Sequence, residues 1–109
     1  MEEIGIDDFK KIKIQVGRVI SAEKAEKSNK LLKLRISFGG FEKTILSGII
    51  QHYAPESLVN KKLIVITNLK HAKMMGLESE GMVLAAQDEK GVLSLLTVDK
   101  DVDEGASVS

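Results

Sequence analysis

The sequence of 109 residues predicts an all-β fold, a five-stranded barrel with one short helical turn and a C-terminal strand extension. Three observations predict it. Apolar residues recur at every second position in several short segments, the spacing that turns one face of a strand to a core and the other to water. The pair Gly39-Gly40 separates two such segments, where a tight hairpin turn calls for positive φ angles. The single proline, Pro55, is placed to open a helical turn just ahead of the next apolar run.

Taken in order, Asp7-Asp8 is expected to cap a brief helix through Phe9. Ile12, Ile14 and Val16 then alternate with Lys11, Lys13 and Gln15 in a first strand, and Gly17 marks a bulge or sharp bend. Residues 23–30 are polar and read as a loop. Leu32, Leu34, Ile36 and Phe38 alternate with Lys33, Arg35 and Ser37 in the second strand, so Lys33 and Arg35 face outward; Phe41 to Ser47 returns as the third. Phe38 and Phe41 flank the turn and are assigned to packing. A helical turn follows Pro55, and Leu63-Ile64-Val65-Ile66 suits a fourth strand buried on both faces. Residues 68–81 read as one long loop, Met82 to Ala86 as the fifth strand and Val92 to Val98 as the extension. The tail from Asp99 is expected to fray unless a partner holds it.

Composition excludes several chemistries. With no cysteine there can be no disulfide, thiolate zinc site or cysteine nucleophile. No apolar run reaches membrane-spanning length, and the start Met1-Glu2-Glu3 does not resemble a signal peptide, so a soluble cytoplasmic domain spanning 1–109 is expected, without membrane contact. His52 and His71 have no metal-ligand spacing, Leu46-Ser47-Gly48 lacks the first glycine of a nucleophile elbow, and no phosphate-binding glycine motif occurs. No enzyme active site, cofactor or metal is expected. Glu78 and Glu80, on either side of Ser79, read as carboxylates that organise their loop by accepting backbone N–H bonds.

Net charge is formally zero, yet residues 10–43 hold ten bases against three acids. A local surplus of this size attracts polyanions even from a neutral molecule; composition alone nevertheless favours a solvated, lysine-rich sheet face. Placement on the fold decides between these. Five strands with a hairpin between the second and third and a helical turn before the fourth describe an OB-type barrel. Such a barrel binds nucleic acids or saccharides on strands two and three and on the loops joining strands 1–2 and 4–5. Strand two supplies Lys33 and Arg35, the first loop Lys24, Lys27, Asn29 and Lys30, and the second Asn68, Lys70, His71 and Lys73. Three Phe, one Tyr and no Trp are too few for a stacking platform, so recognition should rest on phosphate, sugar and shape, as suits structured RNA. Met74 and Met75 are adjacent flexible apolar groups able to lie against a base or fill space under the loop.

The run Asp8-Phe9-Lys10-Lys11-Ile12-Lys13-Ile14-Gln15-Val16-Gly17-Arg18-Val19 resembles the opening of the tRNA-binding domain family. That family includes the C-terminal domain or β subunit of methionyl-tRNA synthetase, free-standing tRNA-binding proteins and the endothelial monocyte-activating polypeptide II group. The resemblance continues through 30–34, 45–49 and 53–58 and is most specific across 68–86, NLKHAKMMGLESEGMVLAA. It implies an OB fold, homodimerisation and structure-specific tRNA binding without chemistry. By motif it implies binding positions at Lys30, Ser47, Asn68, Lys70, Lys73, Met74, Ser79 and Met82. Where many relatives carry proline and arginine, this chain has His71-Ala72, which leaves the loop less rigid.

Two functions follow from this reading. One is a non-catalytic tRNA-binding module that raises the tRNA affinity of an aminoacyl-tRNA synthetase, that for methionine in particular, with its catalytic chain as partner. The other is a protein-interaction module resembling the secretion-chaperone members of the family, which holds unfolded peptide in an apolar groove. A symmetric homodimer is expected in either case. Val92, Leu93, Leu95, Leu96 and Val98 make both faces of the extension apolar, and a barrel can bury only one of them.

Overall fold

The computed structural model describes all 109 residues. After a one-turn helix α1 (Ile6–Phe9), the strands are β1 (Ile14–Lys24), β2 (Leu32–Ser37), β3 (Glu42–Ser47), β4 (Lys62–Ile66), β5 (Ala72–Met74), β6 (Leu77–Ser79), β7 (Met82–Val83), β8 (Ala85–Gln87), β9 (Leu93–Leu95) and β10 (Ser107–Val108). A single 3-10 turn, Pro55–Ser57, precedes β4, with the proline at its start as expected. The main sheet runs β3-β2-β1-β4-β7, every pairing antiparallel, and curls into a nearly closed five-stranded barrel.

β1 makes this closure possible because it serves two neighbours. Its first half pairs with β4 (Ile14 opposite Ile66, Arg18 opposite Lys62) and its second half with β2 (Ala22 opposite Leu34). The register slips between Val19 and Ser21, the irregularity that lets a long strand coil. Gly17 sits just before it for a steric reason. A Cβ there would run into the Ile36 side chain and lie 2.7 Å from the Phe38 ring, so the strand can bend over the core only without a side chain at this point.

In β2 the alternating residues point as expected, whereas the first strand starts only at Ile14, with Ile12 exposed ahead of it and Gln15 buried, its amide oxygen accepting a hydrogen bond from the Thr67 hydroxyl. Leu32, Leu34, Ile36 and Phe38 all enter the core with Val19, Ile45, Ile49, Leu58, Leu63, Val65, Val83 and Leu95. Phe38 and Phe41 stack across the hairpin turn with centroids 5.1 Å apart. The expected double burial of the fourth strand also holds, with Leu63, Ile64 and Val65 all buried.

Five further expectations are corrected. The helix is capped by the backbone of Gly5, and Asp7 and Asp8 lie inside its first turn. Residues 68–81 are no plain loop, since β5 and β6 form a hairpin inside them. The run 82–86 is divided at Leu84, between β7 on β4 and β8 on β9: its N–H still bonds the opposite Ile64 carbonyl, while its own carbonyl accepts the Leu96 N–H. The extension is a strand only over Leu93–Leu95, paired with β8, and Leu95 points into the core. Finally, the tail packs on the barrel. Glu104 pairs with Arg18 at 2.9 Å and accepts a hydrogen bond from Ser37, Gly105 N–H donates to the Val16 carbonyl, and β10 pairs with β1. The Ser37 bond and, after it, Arg18 hold the Glu104 carboxyl below the usual carboxylate range.

No helix is long and apolar enough to cross a membrane.

Candidate nucleic-acid interface

Three pieces of chain meet on one side of the barrel: the loop 25–31, the outer face of β2 and β3, and the β5–β6 hairpin. Each is held there by identifiable contacts. The loop is pinched at its base by the Ala25 N–H to the Leu31 carbonyl (2.9 Å). Inside it the Ser28 hydroxyl accepts the N–H groups of Lys30 (3.1 Å) and Leu31 (3.2 Å), while Lys27 takes a left-handed φ of 64°. The hairpin turns through Met75-Gly76, φ 51° and 80°, a two-residue connection that needs positive φ at both positions.

Ser79 and Glu80 dock this hairpin on β3. The Leu46 N–H donates to the Ser79 hydroxyl (3.0 Å), which donates in turn to the Gly81 carbonyl (2.9 Å). Glu80 exchanges two bonds with Thr44: its N–H donates to the Thr44 carbonyl (2.9 Å), and its carboxylate accepts the Thr44 N–H (2.7 Å). The expectation that Glu80 organises the loop by accepting a backbone N–H therefore holds. Glu78 instead meets the His71 ring at 2.7 Å, spanning the hairpin.

The face of β2 and β3 is closely neutralised. Arg35 contacts Glu42 at 3.1 Å and Glu80 at 3.9 Å and donates to the Thr44 hydroxyl, while Lys33 lies 3.9 Å from Glu23. Between this face and the hairpin runs a groove of about 510 Å³ lined by Lys33, Thr44, Leu46, His71, Leu77, Glu78 and Glu80, in which carboxylates match the basic groups.

The loop and the hairpin crown differ. Lys24, Lys27 and Lys30 on one side and Lys70 and Lys73 on the other are exposed, and none enters an ion pair. Between loop and crown lies a second cleft, about 550 Å³, lined by Lys27, Ser28, Asn29, Lys30, Leu31, Met74 and Met75.

Of the expected binding residues, Lys30 and Met74 are brought together in this cleft, and Lys70 and Lys73 lie on the segment entering it. Ser47 is half-buried at the end of β3, opposite Leu32, and Met82 is exposed on β7 beside Ile66, outside the cleft. Two of the polar residues have structural engagements. Asn68 accepts the Lys13 N–H (2.8 Å) and donates to the Lys11 carbonyl (2.7 Å), tying the end of β4 to the chain before β1. Ser79, only 2% exposed and bonded on both sides, is corrected from a contact residue to an anchor of the hairpin. Lys27, Asn29 and Met75 also line the cleft: the loop reading and the paired methionines pointed to them, although the family motif did not, and Gly76 after Met75 marks a turn crown.

Among the expected interface residues, Leu95 is corrected to a core residue, 7% exposed, and Leu93 packs partly against the same core. Val92 and Leu96 are exposed at 62% and 38%, and Val98 is half-buried.

Comparison with known proteins agrees with this architecture. Residues 14–107 match the family model described as "Putative tRNA binding domain". The chain is 54% identical over 108 residues to methionine–tRNA ligase of Methanocaldococcus jannaschii, covering 99% of this chain and 17% of that enzyme, so it spans about a sixth of the length of such curated relatives. The crystal structure of a MetRS-related protein from Pyrococcus horikoshii superposes with a TM-score of 0.94 at 42% identity, each chain covered completely. The chaperone CsaA of Bacillus anthracis superposes with a TM-score of 0.91 at 25% identity, over 99% of this chain and all of that one. From its matched sequence and its barrel, the chain belongs to the tRNA-binding domain family.

Proposed function

We propose that residues 1–109 act as one non-catalytic module that binds structured tRNA and raises the tRNA affinity of a methionyl-tRNA synthetase, leaving aminoacylation to the catalytic chain. The observation that carries this reading is the set of five exposed lysines outside any ion pair, Lys24 at the end of β1, Lys27 and Lys30 on the loop, Lys70 just before β5 and Lys73 on it, beside a face whose bases are already matched by acids. Phosphate contact releases counterions and supplies affinity without reading sequence. In this reading Lys30, Lys70 and Lys73 meet phosphates, Met74 and Met82 meet ribose or base, and Ser47 offers a hydroxyl. Asn68 and Ser79 hold the segment in place, and Lys33 and Arg35 contribute least.

The test is binding of labelled tRNA over a salt series, against an unfolded polypeptide. The logarithm of affinity should fall linearly with log salt, by about 0.7–0.9 per phosphate neutralised. A flat profile, or equal affinity for unstructured RNA of the same length, overturns the reading. Exposed Met74 and Met75 and the likeness to CsaA favour a second reading, capture of unfolded peptide, which requires tight polypeptide binding that salt barely weakens.

The reading includes a two-fold homodimer built on Val92 and Leu96, with Leu93 and Val98 at its margin. Ile4, Ile6, Ile12 and Val102 are also exposed apolar side chains with no cover in the single chain. Light scattering should give twice 11.9 kDa, and Leu96→Glu should halve the mass. A parent that scatters as a monomer at micromolar concentration removes the dimer and leaves tRNA binding standing.

A further inference from the structure

The cleft between loop 25–31 and the hairpin crown has a chemistry that phosphate binding alone does not use. Its volume of about 550 Å³ falls in the range of small-ligand pockets. One side is apolar, made by Met74 and Met75, and Met75 is 60% exposed at the very crown of the hairpin. The other side carries Lys27, Asn29 and Lys30, and Asn29 is exposed with no hydrogen-bond partner in the chain. No carboxylate lines the cleft.

The backbone adds a second, independent observation. Three non-glycine residues in the chain have left-handed φ, and two of them, Lys27 (64°) and Met75 (51°), face each other across this cleft. Asparagine before Gly76 would suit that turn far better than methionine. A strained, exposed, apolar side chain there contributes nothing visible to the fold, and strain of this kind gathers at functional sites.

We propose that the cleft receives one unpaired nucleobase of a bound RNA, its face against Met74 and Met75, its edge within reach of Asn29, and its flanking phosphates on Lys27 and Lys30. The inference rests on the RNA-binding reading above and names the feature of the RNA that this site selects. A cationic rim with no acid excludes a cationic ligand and complements a polyanion. Within an RNA duplex the base faces are stacked away, so only an unpaired nucleotide offers an apolar face beside its phosphates. Thioether sulfur packs well against aromatic rings and tolerates any base, in keeping with recognition independent of sequence.

The test compares two RNA stem-loops matched to within one nucleotide, each closed by a non-nucleotide linker in place of its loop bases, one fully paired and one with a single bulged adenosine, by fluorescence anisotropy. The parent should bind the bulged RNA about three- to ten-fold more tightly, the span a sulfur–ring contact supplies. Met75→Asn keeps the turn, so its thermal stability should equal or exceed the parent's, while its preference for the bulged RNA should disappear. Lys30→Ala should weaken both RNAs. Equal affinity of the parent for both RNAs, each still salt-dependent, overturns the base cleft and leaves RNA binding intact. Equal weakening of both RNAs by Met75→Asn also overturns it. Failure of the parent to bind tRNA or either stem-loop overturns the RNA reading itself, and the cleft with it. Polypeptide binding that Met75→Asn abolishes while RNA affinity stays unchanged assigns the cleft to peptide and overturns the proposal.

Discussion

The outer face of β2 and β3 and the rim formed by loop 25–31 with the β5–β6 hairpin are both rich in lysine and arginine, yet they present opposite electrostatics. On the sheet, register supplies partners. Glu23 stands directly across from Lys33, and Glu42 lies diagonally from Arg35, whose direct neighbour is Thr44. Cross-strand neighbours a few ångströms apart are a fixed property of a ladder, so an acid in the matching position neutralises each base. A loop has no such lattice, and Lys27 and Lys30 remain free; Lys73 does stand across from an acid, Glu78, on the β5–β6 ladder, but that carboxylate is taken by His71. Counting bases along a chain therefore overstates the charge a sheet shows and understates what a loop shows.

The largest effect expected from this contrast comes from the rim. Lys27→Ala, Lys30→Ala and Lys73→Ala combined should lower tRNA affinity about 10- to 100-fold near 0.1 M salt and flatten the salt dependence. Melting temperature should hardly move, because exposed lysines contribute little to folding. If Lys33→Ala with Arg35→Ala costs as much affinity, the contrast between the two regions is broken.

Next in size is Ser79→Ala, which leaves the buried Leu46 N–H without an acceptor. Urea unfolding should show a loss of about 1–3 kcal/mol, while tRNA affinity measured well below the melting point falls less than for the lysine variant. The reverse order would make Ser79 a contact residue. A smaller change sharpens the comparison from the other side. Glu42→Gln with Glu80→Gln releases Arg35, while the new amide oxygen at position 80 still accepts the Thr44 N–H. The affinity for tRNA should then rise about two- to five-fold at low salt by simple charge complementarity.

The smallest effect lies outside both regions and serves as a control. The Ser37 hydrogen bond, then Arg18, lower the folded-state pKa of Glu104, so its stabilising contribution is complete above the ordinary value of 4.5 and is lost as pH falls through the lowered value. In that window the parent should lose stability more steeply than Glu104→Gln, read as thermal midpoints across an acid series. Parallel curves would show that the tail is held without the Glu104 charge.

Much of the barrel could be read in the sequence because period-two burial writes itself locally: Leu32, Leu34, Ile36 and Phe38 need no distant partner to reveal their face. The β5–β6 hairpin left no such trace, since all of β5 and most of β6 are exposed or half-exposed and have no apolar rhythm. The tail was illegible for another reason. Its main anchor joins Arg18 to Glu104, residues 86 positions apart, and neither side chain signals the other. Leu95 and Leu96 are adjacent apolar residues on opposite faces, so composition could not say which one the core takes. Ser79 illustrates the limit for sites: a hydroxyl among lysines looks like a ligand contact until its two hydrogen bonds are seen to be spent within the fold.

The antiparallel pairing of β10 with β1, Ile14 opposite Val108, has a consequence for synthesis. Within this domain β1 is made well before the strands that flank its first half, β4 near the middle of the domain and β10 at residue 107. A β-rich topology with contacts this far apart closes slowly, because the loop entropy is spent before those contacts form. During translation one edge of Ile14–Gln15 waits about fifty residues for β4 and the other some ninety for β10, and at about 5–20 residues per second the longer exposure lasts several seconds. The lysines at 10, 11 and 13 immediately before it place like charge beside the waiting edge, the kind of feature that discourages two nascent chains from pairing with each other.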